Sequence, residues 1–388
     1  MNAAEFDAKL QEAQRLEKQI ESAGTDEEAE RYFQQAVDLY AELEKQLTVN
    51  KLDNQSGSFE WLAQWDMSAE SEELAESGAL MPTFHKKNTN FFVRRLRDFE
   101  NRRRLPLFHK NRRLGGKVVI VEGDSWTQHP FIDDLVDQFL NQGFATRGFG
   151  TATHLLEQLV ETDEYKPVLE AINTYEAEYL VLSCGGNDTI GEQFIHTMLR
   201  KADPFEPFAE RFLDRKKAGE HLERMKRFYD ELIDAYLDDA HEGLKIIIHG
   251  YAYGAPVPWK HPAKTNRLDN WFLEKKWLSK GLNKVKAHHT LERWEITKHA
   301  IDLYNEMLRE LVKEREGRVI YVDLRTELNS NRIDDVLGGL DGNRPILDDD
   351  DELKIRYERL AQRYWSDELH PDKNGFERLA RAIAAKIE

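Results

Sequence analysis

Four short apolar runs are spaced widely through the last two thirds of the chain. They are Lys117–Glu122 (KVVIVE), Ala177–Ser183 (AEYLVLS), Leu244–His249 (LKIIIH) and Arg318–Asp323 (RVIYVD). A weaker run lies near Phe144–Phe149. The runs are continuous rather than alternating, and rich in Val and Ile, as expected of strands covered on both faces. Helical patterns fall between and after them, such as Phe131–Leu140, Ala218–Leu237, Trp294–Glu314 and a final stretch near Asn374–Ile387. Strands alternating with helices predict an α/β fold: a five-stranded parallel sheet, doubly wound into a flavodoxin-like three-layer α/β/α sandwich.

The first 116 residues read differently. Leu10, Ala13, Leu16 and Ile20 form one helical stripe; Tyr32, Phe33, Ala36, Val37, Tyr40, Leu43 and Leu47 form another. Ser22–Thr25 is a turn between them, and Thr25-Asp26-Glu27-Glu28 fits a capping box for the second helix. This predicts a helical hairpin over 1–50, with a polar linker at Asn50–Gly57. A helical and basic connecting region covers 51–116, with one helix near Phe59–Leu80 and an amphipathic one marked by Phe91, Phe92, Leu96 and Phe99. The third segment, 117–388, is the α/β domain.

Composition narrows the function classes. The net charge is −17, which disfavours a general nucleic-acid binder. Yet residues 86–117 carry twelve Lys and Arg against Asp98 and Glu100. Such a segment can grip anionic lipid or an acidic protein partner, or lie against the chain's own acidic surface, and the last is favoured because charge runs are usually solvated faces. Two short helices bury little alone, so the hairpin can also pair with a second copy. The single cysteine, Cys184, allows no intramolecular disulfide and no Cys-based zinc site. Asp348–Glu352 (DDDDE) does not match a calcium loop. No cofactor is expected. The N-terminus lacks a basic region followed by an apolar stretch, and no apolar run is of membrane-spanning length, so a cytoplasmic location is expected.

In a parallel sheet, ligands bind outside the carboxyl ends of the strands. Three strand ends and one loop before the last helix carry chemistry. They are Gly123-Asp124-Ser125-Trp126, Arg147-Gly148-Phe149-Gly150-Thr151, Ser183-Cys184-Gly185-Gly186-Asn187-Asp188 and Trp365–Pro371. Ser125 follows a buried strand and a tight turn, where a hydroxyl can act as a nucleophile once a base removes its proton. His370 can be that base, and Asp367, three residues earlier, can orient its imidazole. The backbone N–H groups of Ser125 and Gly150 and the amide of Asn187 are candidate oxyanion donors. Gly148 is two residues away and could take the role of Gly150.

Weaker signals read as structural. Gly148-Phe149-Gly150 lacks the third glycine of a dinucleotide loop, because Thr153 stands there. Cys184 has no adjacent base and reads as a buried thiol. His129, His154, His196 and His249 read as structural, and Trp126 reads equally as pocket lining or packing.

These four blocks, in this order, resemble the GDSL or SGNH hydrolase superfamily over about Lys117–Glu388. The matching residues are Gly123-Asp124-Ser125, Gly150, Gly185-Gly186-Asn187-Asp188 and Asp367–His370. The resemblance implies a flavodoxin-like fold and metal-free hydrolysis of carboxylic esters through an acyl-enzyme, as by an esterase, lipase or deacetylase. Its substrates range from lipids to acetylated sugars. Transfer of the acyl group to an alcohol by the same triad is the alternative, as is an effector directed to a partner or membrane by the N-terminal segments. Two departures stand out: Trp126 replaces the family's leucine, and Asn187 to Asp367 is longer than a compact member needs.

Overall fold

The computed structural model describes residues 3–53, 86–129, 132–152, 154–191, 198–201, 203, 211–254, 278–287, 290–315, 317–328, 355, 359 and 363–387. Some sequence expectations fall outside these: the 54–57 part of the polar linker, the 59–80 helix, Phe131, Thr153, His196 and the acidic loop at 348–352. The chain divides into two compact units, one built on residues 1–116 and the other on the chain from Lys117 onward.

Among the described residues, the first unit contains three long helices: α1 (Ala3–Ser22), α2 (Asp26–Asp53) and α3 (Lys86–Arg113). Phe6, Leu10, Ala13, Tyr40 and Leu43 form a buried cluster between α1 and α2, following the stripes in the sequence. Tyr40 donates its hydroxyl proton to Glu17, which is also buried. Half of the capping box forms at the start of α2: Thr25 Oγ1 accepts from Glu28 N at 3.2 Å, while the Glu28 carboxylate accepts from Gly24 N, also at 3.2 Å, rather than from Thr25 N. One boundary is corrected. Helix α2 continues through Asp53, past Asn50, where the linker was expected to begin. Nothing in Asn50-Lys51-Leu52-Asp53 breaks a helix, and polar composition alone does not end one. At the far end of α3, Lys110 pairs with Glu30 and Arg113 with Asp26, so α2 acids neutralise part of the basic helix.

The second unit is a five-stranded sheet of β1 (Val118–Gly123), β2 (Ala145–Gly148), β3 (Tyr179–Ser183), β4 (Lys245–His249) and β5 (Val319–Val322). Their order is β2-β1-β3-β4-β5, the flavodoxin-like arrangement expected from the sequence. Pairs β1/β3, β3/β4 and β4/β5 are parallel. The weak run at Phe144–Phe149 is therefore a real strand, at the sheet edge.

Right-handed crossovers then fix the layers. From β1 the chain moves one way to β2; afterwards it moves the other way to β3, β4 and β5. The helix after β1, α4 (Leu135–Asn141), accordingly packs with the last one, α11 (Lys373–Ala384). Helices after β2, β3 and β4 form the other layer, namely α5 (Leu156–Glu161), α6 (Tyr165–Tyr175), α8 (Arg215–Asp239) and α10 (Thr290–Lys313); two short helices, the single turn α7 (Gly186–Thr189) after β3 and α9 (Ser279–Lys284) after β4, lie between them in sequence. Within it, α8 packs with α5, α6 and α10. The helix expected from Phe131 begins later, at Leu135, because Asp134 caps it. Its carboxylate accepts from Val136 N at 2.9 Å, and Asp137 reciprocates by accepting from Asp134 N at 3.2 Å. Asp372 caps α11 through Gly375 N at 2.7 Å.

Candidate active site

The strand order reverses between β1 and β3, which opens a crevice at their carboxyl ends. Ser125 lies just beyond β1 and Asn187 just beyond β3. The Ser125 turn is fixed by its neighbours. Asp124 N donates to Ser183 O at 3.0 Å, and Thr127 donates to Asp124 O through both N (3.1 Å) and Oγ1 (2.9 Å).

His370 reaches the same place from the loop before α11. A bridge between Trp365 and Pro371 closes this loop. Ser125 Oγ lies 2.8 Å from His370 Nε2, and His370 Nδ1 lies 2.8 Å from Asp367 Oδ2. The other carboxylate oxygen of Asp367 accepts from the backbone N–H groups of Leu369 and His370, both at 2.7 Å. With Nδ1 donating to this carboxylate, Nε2 is left as the acceptor facing Ser125. All three side chains are buried: Ser125 is 7% exposed, His370 4% and Asp367 2%. Water is thus largely kept from the hydrogen-bonded chain, and its polarity is less screened.

The three expected oxyanion donors differ. Among the described residues, no protein acceptor takes the backbone N–H of Ser125 or Gly150. Asn187 Nδ2 donates to His154 O at 2.9 Å, leaving its second N–H for another acceptor. Gly150 is required by close approach as well: a Cβ there would lie 2.0 Å from Thr127 Oγ1 and 3.0 Å from Gly123 O. Gly148 ends β2, two residues short of this contact. The Asn187 turn leaves β3 through Gly185, whose φ of +81° favours glycine. Cys184 O anchors that turn by accepting from the hydroxyls of Tyr229 (2.9 Å) and Tyr304 (2.6 Å).

Several groups around the site carry shifted ionisation. Burial pushes the Asp124 carboxyl up, opposed by hydrogen bonds from Trp126 N (3.0 Å) and Tyr251 OH (2.7 Å). Burial pushes Asp188 up to about 7, opposed by Leu156 N, which donates to its Oδ2 at 3.1 Å. His249 is lowered to about 4 by burial, so it is neutral near pH 7. Its Nδ1 lies 2.9 Å from Gly250 O. The Cys184 thiol is pushed up by burial and is therefore protonated, the opposite of a reactive thiolate. His129 packs edge-on against His370, with centroids 4.8 Å apart, and His154 Nδ1 lies 3.2 Å from Glu164 Oε2.

Two participants were not singled out from the sequence. Tyr251 holds Asp124 from two residues beyond β4, so applying the strand-end rule to the fourth strand would have pointed to it. Thr127, packed against Gly150, carried no signal, because its role depends on the close approach of two loops.

The fold and site define a class: an α/β/α protein with a buried, hydrogen-bonded Ser–His–Asp chain at the carboxyl edge of its sheet. No family model matches the chain, and no curated protein does either. Among solved structures it is similar to an extracellular lipase of Streptomyces rimosus (9% identity, TM-score 0.36) and a phospholipase A1 of Streptomyces albidoflavus (12%, 0.39). Each match covers 70% of this chain and 99% of the other. A gut microbial diltiazem-metabolizing enzyme matches at 12% identity and a TM-score of 0.40, over 70% of this chain and 46% of its own. Likeness of this degree is no measure of shared activity. Among the described residues, no helix is long and apolar enough to cross a membrane, and no group of three His, Cys, Asp or Glu side chains gathers as a metal-ligand set.

Proposed function

We propose that this chain is a serine-dependent carboxylic-ester hydrolase of the SGNH type, acting through an acyl-enzyme on Ser125. The observation that carries the reading is the chain of hydrogen bonds from Ser125 Oγ to His370 Nε2 and from His370 Nδ1 to Asp367 Oδ2, each 2.8 Å long. In the first step Ser125 Oγ attacks the ester carbonyl carbon while His370 Nε2 takes its proton. Asp367 stabilises the resulting imidazolium. The carbonyl oxygen becomes an oxyanion, which accepts from Ser125 N, Gly150 N and Asn187 Nδ2. Collapse breaks the bond to the alcohol oxygen, which leaves with the proton from His370. Water then attacks the acyl-enzyme, His370 takes its proton, and Ser125 regains one as the acid departs.

The test is turnover of esters graded in acyl length, from acetyl upward, by the full chain and by Ser125→Ala. The reading expects turnover that vanishes in the variant with the fold intact, and the preferred chain length gives the substrate class. Undiminished turnover in Ser125→Ala would overturn the reading.

A further inference from the structure

We propose that Trp126 is a positioning residue: its indole N–H pins the loop bearing His370 against the turn bearing Ser125. The inference rests on the hydrolase reading above and adds a device to it. Trp126 follows Ser125 directly, and its Nε1 donates at 3.0 Å to the carbonyl oxygen of Leu369, the residue directly before His370. One side chain thus ties the peptide next to the base to the residue next to the nucleophile, across 243 positions of sequence.

Both ends of this tie are fixed. The backbone N–H of Trp126 donates to Asp124 Oδ1 at 3.0 Å, and Tyr251 holds the other oxygen of that carboxylate at 2.7 Å. The indole is buried, edge-on to Tyr251 (centroids 4.6 Å apart), Phe376 (5.9 Å) and Trp365 (6.5 Å), and stacked on the ring of His249 at 6.2 Å. On the loop side, Asp367 already holds Leu369 N at 2.7 Å. The residue before His370 is therefore gripped at its N–H by the triad carboxylate and at its C=O by Trp126. A leucine at position 126 has no donor, so the buried carbonyl would lose this partner. Rate depends steeply on such placement: a shift of about 1 Å in a catalytic group can cost about 10²-fold.

The N–H can be removed without changing the shape of the ring. Site-specific incorporation of 3-benzothienylalanine at position 126 replaces the N–H with sulfur, and 5-fluorotryptophan at the same position keeps the donor. We expect the benzothienyl variant to lose roughly 10- to 100-fold in kcat and in the rate of fluorophosphonate labelling of Ser125, with KM within about twofold of the parent. The 5-fluorotryptophan variant should stay near the parent rate. Trp126→Leu should show the same kcat loss, together with a lower Tm from the space it leaves. A benzothienyl variant with parental kcat overturns the proposal, as does one whose loss lies in KM or is shared by the 5-fluorotryptophan protein. Ser125→Ala run alongside separates the two claims. If it is inactive while the benzothienyl variant is normal, only the role of Trp126 falls; if it is active, the hydrolase reading itself falls.

Discussion

Asn187 Nδ2 donates to His154 O at 2.9 Å, joining the loop after β3 to the loop after β2. Asp188 adds a second tie between the same loops by accepting from Leu156 N at 3.1 Å. The amide of Asn187 is therefore held in one orientation before any substrate arrives, which is the preorganisation an oxyanion donor needs. Asn187→Ala should lower kcat on the order of 10²–10³-fold, with a much smaller change in KM. Steady-state kinetics on one ester decides this, and a loss confined to KM would make Asn187 a binding residue instead.

Asp367 does two jobs with two oxygens. One accepts from His370 Nδ1, and the other accepts from the N–H groups of Leu369 and His370. Asp367→Asn can keep the second set, but its amide would favour the wrong imidazole tautomer. We expect kcat to fall by about 10⁴-fold, the size of effect known for the same change in a serine protease triad. The Tm should move far less. Near-parental kcat would show that His370 is oriented by something else.

Gly150 leaves no room for a methyl group, because Thr127 Oγ1 and Gly123 O already occupy that space. Gly150→Ala should cost roughly 1–3 kcal/mol in unfolding free energy and reduce activity as the oxyanion loop shifts. Adding Thr127→Ala removes the nearer obstacle and leaves Gly123 O at 3.0 Å. The double variant should therefore recover part of the stability in urea titration. No recovery would place the strain elsewhere.

Asp188 gives stability a pH dependence with a definite sign. Its carboxyl titrates near 4 when unfolded and at about 7 when folded, because burial disfavours the charged form. Between those values the folded chain holds a proton that the unfolded chain has lost. Stability from this group is full below the unfolded pKa and is lost as pH rises toward and through about 7. Asp188→Asn removes that slope while keeping an acceptor for Leu156 N. Tm measured from pH 4 to pH 8 should fall less in the variant than in the parent. Parallel curves would contradict the assignment.

The sequence carried the sheet and the candidate site for different reasons. Runs such as KVVIVE leave little choice but a strand buried on both faces, and the order of the runs with right-handed crossovers leads to the observed topology. Ser125, Asn187, Asp367 and His370 were legible because each sits in a short block whose spacing is local: a turn after a strand, or three residues within one loop. Thr127 was not singled out, because it acts by touching another loop, whereas Tyr251 lies just beyond β4, a strand end to which the rule was not applied. The hydrogen bond from Trp126 to Leu369 O was equally hidden, since sequence gives residue type but not which carbonyl lies 3.0 Å from an indole. The late start of α4 at Leu135 and the run of α2 through Asp53 show how capping and the absence of a breaker, rather than apolar periodicity, fix helix ends.

The central claim is that Ser125 is a nucleophile activated by His370, and covalent labelling tests it most directly. The full chain would be treated with a fluorophosphonate probe, digested, and the modified peptide identified by mass spectrometry. The account predicts one adduct, on Ser125, absent in Ser125→Ala and formed far more slowly in His370→Ala. An adduct on another residue, or ester turnover by a chain whose Ser125 stays unlabelled, would contradict it.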